Sequence, residues 1–390
     1  MEQRLIHKVR EIYRTDEFIP LHAPRFDGAE RAYVNDTLDS TFVSSVGAYV
    51  DRFEQQIIKA TGAGAAVATV NGTAALHTAL HLAGVQAGDL VLTQALTFVA
   101  TCNALKHMGA EPVLLDVSPV SLGLCPEATE AWLCEQAELD GEGQCRHRAS
   151  KAPIRAILPM HSFGHPVQLT ELSAVAKRWN LALVEDAAEA LGSLYRGRPA
   201  GSIGLTAALS FNGNKVITTG GGGMVLCQSS TLGARAKHLT TTAKLPHAFE
   251  YLHDEAGFNY RMPNLNAALG CGQMEQLDRL LHSKRQVAEQ YRQFFAGSDY
   301  RFIDEPDYAH SNFWLNGVIC PDRAARDQLL EQTNAAGVMT RPVWQLMHRL
   351  PMYQSAQRGP LPNAEWAEAR VVNLPSSALV QATRTGGEHD

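Results

Sequence analysis

The pattern that most constrains the fold is a repeated alternation of short apolar runs with helix-length segments, beginning near residue 62. Each run is nearly continuous in apolar residues and ends at a turn residue or a polar group. The six runs are AAVATV (65–70), DLVLT (89–93), EPVLLDV (111–117), IRAILPM (154–160), LALVEDA (181–187) and AALSF (207–211). Strands of this kind that alternate with helices are typical of a parallel sheet covered on both faces. The pattern therefore predicts an α/β fold built on a mostly parallel sheet.

The alternation of apolar runs and helical segments changes toward the carboxyl terminus. After residue 259 a long helical stretch, 264–295, precedes a strand-like run, 313–319, and a further helix, 324–336. We expect a large α/β domain with an N-terminal segment over residues 1–245, and a smaller α+β domain with a linking helix over residues 246–390. In the large domain we expect helices at 73–83, 98–107, 126–137 and 168–179, and a polar surface excursion at 135–151.

Composition narrows the class of function. The 390 residues carry 40 acidic and 34 basic side chains, a net charge of −6, without a block of five like charges, which argues against a nucleic-acid partner. The seven cysteines form no CxxC pair and no finger-like cluster with histidine, so we expect reduced thiols and no metal site. The first helix has Leu5, Ile6, Val9 and Ile12 on one face, unlike a signal peptide, and no apolar stretch of about 18 residues is present. We therefore expect a soluble cytoplasmic enzyme with no membrane partner.

In open parallel sheets, ligands bind outside the carboxyl ends of the strands, so the polar residues after each run are candidate site residues. Residues 71–74, Asn-Gly-Thr-Ala, follow the first run at a helix start, where N–H groups, a hydroxyl and a glycine suit a phosphate. An ordinary helix cap explains the same residues. Glu185, Asp186 and Glu189 follow the fifth run and could hold a cationic nitrogen or a metal, or simply favour a helix start.

Two further candidates follow the sixth run. Lys215 ends the segment SFNGNK, and a lysine beyond a buried strand can act as an amine nucleophile, although a single lysine is usually a solvated surface charge. The glycines 220–223 permit a very close backbone approach. The chain contains neither GxxxxGK[ST] nor GxGxxG at a strand-to-helix turn, which excludes a P-loop and the dinucleotide fingerprint.

The order of these elements is that of a fold-type I pyridoxal phosphate (PLP) enzyme: a phosphate cradle, Phe98, Asp186, and Lys215 at 29 residues beyond Asp186. The chain resembles, over nearly its whole length, the DegT-type aminotransferases that act on nucleotide-linked keto sugars. Together the matching segments are highly specific. They are VNGTAALHTAL (70–80), LTFVATCNAL (96–105), VEDAAEALGS (184–193), SFNGNKVITTGGGGM (210–224) and GFNYRMPNLNAALG (257–270).

The resemblance is strongest to the subgroup of the legionaminic acid and bacillosamine pathways. The segments 184–193, 210–224 and 257–270 carry it, together with TAKLPHAFEYLHDE (242–255) and RPVWQLMHRLPMY (341–353). That subgroup implies a large domain with a seven-stranded-type sheet. It also implies transfer of an amino group, from L-glutamate as donor, to C4 of a UDP-linked 2-acetamido-2,6-dideoxy-4-keto-hexose for bacterial surface glycans such as the lipopolysaccharide O-antigen.

The family also implies roles for individual residues. Lys215 would bind PLP covalently and move a proton between substrate and cofactor, Asp186 would pair with the pyridine nitrogen, and Phe98 would stack on the ring. Asn259 would reach the cofactor phosphate of a neighbouring subunit, which implies a homodimer with shared active sites. The implied cofactor-binding set is Gly72, Thr73, Ala74, Phe98, Asp186, Glu189, Ser210, Lys215 and Asn259.

Two positions depart from the family pattern. Glu189 stands where many relatives carry Gln or His near the cofactor's ring oxygen, which would repel a carboxylate. Gly221 stands where relatives often carry Glu. Cations and aromatic rings suited to a nucleotide sugar, each equally explained as a surface or structural residue, are His161, His247, His253, Arg261, Trp344 and His348.

Two alternative functions stay open. Keto-sugar dehydratases share the fold but replace the lysine by His, so Lys215 argues against that activity. A non-catalytic nucleotide-binding protein could use the glycines 220–223, and this requires Lys215 to be incidental.

Overall fold

The computed structural model of the chain describes residues 1–379, so the last eleven residues of the predicted small domain lie outside the described part. The helices are α1 (Glu2–Tyr13), α2 (Glu30–Asp39), α3 (Ala48–Thr61), α4 (Gly72–Leu82), α5 (Val99–His107), α6 (Pro126–Gln136), α7 (Leu169–Arg178), α8 (Ser230–Thr240), α9 (Asn264–Glu275), α10 (Leu277–Phe295), α11 (Arg323–Ala335) and α12 (Pro362–Glu368). Three short 3-10 helices lie at Ser162–Gly164, Met347–Arg349 and Pro351–Tyr353.

The strands are β1 (Ala65–Thr69), β2 (Leu90–Gln94), β3 (Glu111–Leu115), β4 (Ala137–Leu139), β5 (Cys145–His147), β6 (Ile154–Leu158), β7 (Ala182–Asp186), β8 (Leu194–Tyr195), β9 (Arg198–Pro199), β10 (Thr206–Ser210), β11 (Gly223–Cys227), β12 (Lys244–Leu245), β13 (Leu252–His253), β14 (Arg301–Phe302), β15 (Ala309–His310), β16 (Asn316–Ile319), β17 (Arg341–Pro342) and β18 (Val371–Leu374).

A seven-stranded sheet in the order β1-β11-β10-β7-β6-β2-β3 forms the centre of the molecule. Each of the six predicted runs supplies one strand, and their interior positions are buried. Only β11 runs against the others: it pairs antiparallel with both β1 and β10, while the remaining pairs are parallel. The predicted α/β fold with a mostly parallel sheet is confirmed, and six strands end at the same edge.

The helices between the strands begin and end within a residue of the predicted positions. The polar segment 135–151 contains the end of α6 and a two-stranded hairpin of β4 and β5. The predicted single helix over 264–295 is wrong in one respect, because it is divided into α9 and α10. Gln276 lies between them with φ −98° and ψ −3°, and this conformation interrupts the regular helical dihedrals.

A second, antiparallel sheet in the order β14-β16-β18-β17 belongs to the carboxyl-terminal part of the chain. The apolar face of α1 packs there, because Leu5, Val9 and the rest of its buried stripe share one cluster with Tyr291 of α10 and Leu329 of α11. The division at residues 245/246 stays a prediction. The packing of α1 leads us to propose that residues 2–13 belong with the smaller unit.

None of the described helices combines the length and the apolar character that crossing a bilayer requires.

Candidate functional site

A cavity of about 650 Å³ lies at the edge where the parallel strands end. Residues at or just after the ends of β1, β2, β6, β7 and β10 line it together, although they are far apart in the chain. Seven of the predicted cofactor-binding residues are among its walls: Gly72, Thr73, Phe98, Asp186, Glu189, Ser210 and Lys215. The sheet topology therefore assembles the predicted site residues around one space.

One wall is the N-terminus of α4. Its first N–H groups have no intrahelical partners, which makes the helix end suitable for an anion. A Cβ on Gly72 would lie 2.9 Å from Cβ and 3.1 Å from Oγ of Ser210, so glycine permits α4 to approach the end of β10 closely. Asn71 caps the helix by accepting a hydrogen bond of 2.8 Å from the N–H of Ala74. The N–H of Ala74 is thus already engaged. Ala74 was predicted to contact the phosphate, but it is not among the residues that line the cavity.

Asp186 forms the acidic wall at the end of β7. Its Oδ2 accepts a hydrogen bond of 2.8 Å from the Thr101 hydroxyl, and its Oδ1 accepts one of 3.2 Å from the N–H of Ala188. Burial raises the pKa of Asp186, while these two donors and the Lys215 charge oppose the shift. The carboxylate is therefore held in a fixed direction, and a cationic ligand nitrogen would compensate its burial.

Lys215 also lines the cavity, with a side chain that is 12% exposed. Its Nζ is 3.6 Å from Oε1 of Glu189 and 3.9 Å from the centre of the Trp314 ring. The other oxygen of Glu189 accepts a hydrogen bond of 2.9 Å from the N–H of Phe163, a residue in the left-handed region with φ 60°. Burial raises the pKa of Glu189 to about 7, although the Lys215 charge opposes the shift. Glu189 is thus a neighbour of the lysine amine.

Aromatic side chains form a further wall. Phe98 is 48% exposed and lines the cavity beside Trp344, with ring centres 6.5 Å apart. Trp344 in turn stacks on Phe163 at 5.2 Å with an interplanar angle of 18°. This stack provides a flat apolar surface that fits the face of a heteroaromatic ring.

His161 does not line the cavity. It is fully buried, with Nε2 2.9 Å from Oε2 of Glu185 and Nδ1 accepting a hydrogen bond from the N–H of Val167. Glu185 also accepts hydrogen bonds from the N–H groups of Gly201, Ile203 and Gly204. Burial would raise the pKa of Glu185, but the hydrogen bond from His161 and the other donors lower it. Both ring nitrogens of His161 are engaged, which leaves neither for a substrate.

The other predicted substrate residues divide into two groups. Trp344 lines the cavity, whereas His348 lies on a neighbouring 3-10 helix and is not among the lining residues. The remaining ones lie outside the cavity on exposed segments. They are His247 and His253 in and beside the β12–β13 hairpin, and Arg261 just before α9. Asn259, predicted to bind the cofactor phosphate of a neighbouring subunit, is exposed on the same segment as Arg261 and does not line the cavity of its own chain.

Thr101, Trp314 and Arg341 are among the lining or supporting residues that were not predicted from the sequence. Thr101 lies in the first turn of α5, which begins directly after Phe98. Because Phe98 was predicted to contact the cofactor, a site role for the first turn of this helix could have been predicted as well. Trp314 and Arg341 come from the carboxyl-terminal part of the chain, and nothing in their local sequence indicates contact with Lys215 or the cavity.

Comparison with known proteins matches residues 24–384 to the DegT/DnrJ/EryC1/StrS aminotransferase family. The chain belongs to this family. It is 35% identical over 361 residues to the GDP-perosamine synthase of Escherichia coli O157:H7, covering 92% of this chain and 93% of that protein. The solved structure of DesI with its TDP-sugar product is 29% identical with a TM-score of 0.80, covering 93% of this chain and 88% of that one.

The fold of the AHBA synthase structure is also similar, with a TM-score of 0.81 at 22% identity and coverage of 92% of this chain and 93% of that one. The family match, together with the perosamine synthase and DesI relatives, shows that the protein is a PLP-dependent sugar aminotransferase. PLP supplies an electron sink at the substrate carbon. The cavity fits this cofactor, because the start of α4 would suit its phosphate, Asp186 its ring nitrogen, Phe98 its ring face and Lys215 its aldehyde.

Proposed function

We propose that Lys215 is the residue to which PLP becomes attached and the base that moves the proton during transamination. Asp186 holds the ring nitrogen in its protonated form, Phe98 covers the ring face, and Gly72, Thr73 and Ser210 hold the phosphate. The observation that carries this assignment is that Lys215 and the buried Asp186 line one cavity together with the N-terminus of α4.

We further propose that the acceptor is a UDP-linked 2-acetamido-2,6-dideoxy-4-keto-hexose, aminated at C4, with L-glutamate as the donor. The resemblance of the segments 242–255 and 341–353 to the legionaminic acid and bacillosamine subgroup supports this choice. One relative is named for a GDP-linked sugar, and a similar structure contains a TDP-sugar product. The identity of the nucleotide is therefore the part of the proposal that most needs a test. The product would enter bacterial surface glycans.

We also propose that the enzyme works as a homodimer in which Asn259 and Arg261 complete the partner's site. Both are exposed and are not among the lining residues of the cavity of their own chain, and Arg261 donates hydrogen bonds of 3.0 and 3.2 Å to Oδ1 of Asn259. Arg261 forms a β-bridge with Thr69, which ends β1 at the same edge of the sheet as the cavity. All seven cysteines are free, which supports a cytoplasmic location.

The assignment of Lys215 is tested by reducing the PLP-loaded enzyme with borohydride and locating the added cofactor mass by peptide mass spectrometry. We expect the mass on Lys215. Lys215→Ala should lose it together with activity, whereas Lys177→Ala, an exposed lysine on α7, should keep both. Labelling of another lysine with Lys215 unmodified would refute the assignment.

The substrate proposal is tested with purified UDP-, GDP- and dTDP-linked 4-keto-6-deoxy sugars, each supplied with L-glutamate. We expect the UDP-linked acetamido sugar to give a 4-amino sugar and 2-oxoglutarate with the highest kcat/KM. Preferential turnover of the GDP or dTDP sugar would overturn the nucleotide assignment and leave the aminotransferase activity intact. A product that lacks its 3-hydroxyl group and carries no new amino group, formed with release of ammonia alongside 2-oxoglutarate, would instead indicate a dehydratase.

A further inference from the structure

The amine of Lys215 lies between two side chains that both favour a positive charge. The Trp314 ring centre is 3.9 Å from Nζ, and Oε1 of Glu189 is 3.6 Å from it. Trp314 is 4% exposed, so the ring meets the amine in a largely desolvated place, where contact between a cation and an indole is strongest.

Hydrogen bonds hold both the indole and the backbone of Trp314. Its Nε1–H donates to the carbonyl of Asn214, the residue before the lysine, at 2.7 Å. The backbone N–H of Trp314 donates to Oδ1 of Asn312 at 2.8 Å. The carbonyl of Trp314 accepts a hydrogen bond of 3.1 Å from the fully buried Lys284, whose Nζ also donates to the carbonyl of Ser376 at 2.6 Å. The position of the ring relative to Lys215 is therefore fixed by the fold.

The same network holds the segment of Glu189. The side-chain amide of Asn312 donates to the carbonyls of Glu189 and Leu191 at 2.8 and 2.9 Å. Its backbone N–H donates to the Ser193 hydroxyl at 2.9 Å. Asn312 thus bonds to the backbone on both sides of the amine. The two walls around Lys215 are parts of one hydrogen-bonded unit, although one comes from each half of the chain.

We propose that Trp314 and Glu189 form a resting site for the free amine of Lys215, and that Trp314 is a positioning residue for this lysine. The proposal rests on the proposed role of Lys215. In transamination the lysine must leave the cofactor in one half-reaction and return to it in the other. Holding a long, flexible side chain in one place costs rotamer entropy, which the contacts with Trp314 and Glu189 offset. The resting site thereby keeps the released amine beside the cavity between these two events.

The test compares Trp314→Leu, which removes the aromatic face, with Trp314→Phe, which keeps a face but loses the bond to Asn214. Trp366→Phe is the control, because Trp366 contacts Arg301 and Arg370 and does not line the cavity. The first readout is labelling of Lys215 by limiting acetic anhydride in the cofactor-free enzyme, quantified by peptide mass spectrometry. We expect about fivefold or faster labelling in Trp314→Leu, less than about twofold change in Trp314→Phe, and none in the control.

The second readout is the rate of the half-reaction in which the amino group passes to the keto sugar and Lys215 returns to the cofactor. Stopped-flow absorbance measures this rate. We expect this step to slow about fivefold or more in Trp314→Leu, while the initial KM for glutamate changes little. Unchanged labelling and an unchanged return step in Trp314→Leu would overturn the resting site. If Trp314→Leu does not fold, Trp314→Met takes its place, because it also removes the aromatic face and carries the same expectations. Unchanged labelling and an unchanged return step in Trp314→Met would then overturn the resting site.

The borohydride experiment keeps the two proposals distinguishable. If cofactor mass appears on Lys215 in every Trp314 variant, the role of Lys215 stands whatever the labelling rates show. If it is absent from Lys215 in the parent enzyme, the role of Lys215 fails first, and the resting site fails with it.

Discussion

The adjacent carboxylates Glu185 and Asp186 of β7 lie in different environments, and their pKa values shift in opposite directions. Successive side chains of a strand point to opposite faces, so Glu185 turns into the protein while Asp186 faces the cavity. Burial acts on both, yet the His161 ring and three N–H groups lower the pKa of Glu185, while Asp186 has fewer donors and a raised pKa. Glu185 therefore serves the structure, and Asp186 is available to a ligand.

Glu189 is predicted to make folding stability depend on pH. Its pKa is raised from 4.5 to about 7, so the folded enzyme holds this proton more firmly than the unfolded chain between those values. The contribution of Glu189 is thus favourable near pH 4.5 and is lost as the pH rises toward 7. In Glu189→Gln we expect unfolding free energy relative to the parent to increase over this interval, by up to about 3 kcal/mol.

The measurement is urea denaturation of the cofactor-free enzyme at several pH values. Glu331→Gln, an exposed residue of α11, is the control and should follow the parent curve. Parallel curves for the parent and Glu189→Gln would show that the buried carboxyl does not take up a proton in this range.

Some site residues follow from the sequence and others do not. Lys215 and Asp186 could be predicted to share a cavity because each follows a buried strand of one parallel sheet. Trp314 could not, since its contact with Lys215 depends on how a loop from the carboxyl-terminal part packs at the sheet edge. His161 also follows a strand, but a buried carboxylate was available to pair with it, and the sequence does not distinguish that pairing from a ligand contact.

At the scale of elements, the anion cradle depends on the start of α4. Asn71→Ala removes the side-chain bond to the N–H of Ala74, and we expect it to destabilise the enzyme by about 1 kcal/mol. Because Asn71 also lines the cavity, the loosened helix end should weaken PLP binding severalfold. Urea denaturation and PLP titration by absorbance measure the two effects.

Ser229→Ala is the matched control for this experiment. Ser229 caps α8 in the same way, accepting a hydrogen bond of 3.2 Å from the N–H of Leu232, and it is outside the cavity. It should lose similar stability and keep its affinity for PLP. Equal loss of PLP affinity in both variants would mean that global destabilisation, and not the cradle, accounts for the effect.

The central elements were predictable because their signal is local. Each parallel strand is a continuous apolar run, and the intervening helices begin close to the expected positions. The reversed direction of β11 was not indicated, since an apolar run after a glycine-rich segment has the same appearance in either direction. The break between α9 and α10 was also missed, because Gln276 is an ordinary residue for a helix interior.

At the scale of the whole molecule, the enzyme's site depends on segments from distant parts of the chain, and we propose that it depends on a second chain as well. This can be tested by complementation. A mixed dimer of one Lys215→Ala chain and one Asn259→Ala/Arg261→Ala chain has two different sites. If the sites are shared, one site carries both defects, while the other combines an intact Lys215 with the partner chain's intact Asn259 and Arg261.

Each variant alone should have low activity: Lys215→Ala none, and the double variant at least about tenfold below the parent, since it loses a charged contact to phosphate. Random mixing gives about half mixed dimers with one working site each, so co-refolded or co-expressed chains should recover about a quarter of the parent activity. Sites confined to single chains predict no recovery above the simple average of the two variants. Size-exclusion chromatography of differently tagged chains, followed by tandem affinity purification, isolates the mixed dimer and allows its activity to be measured directly.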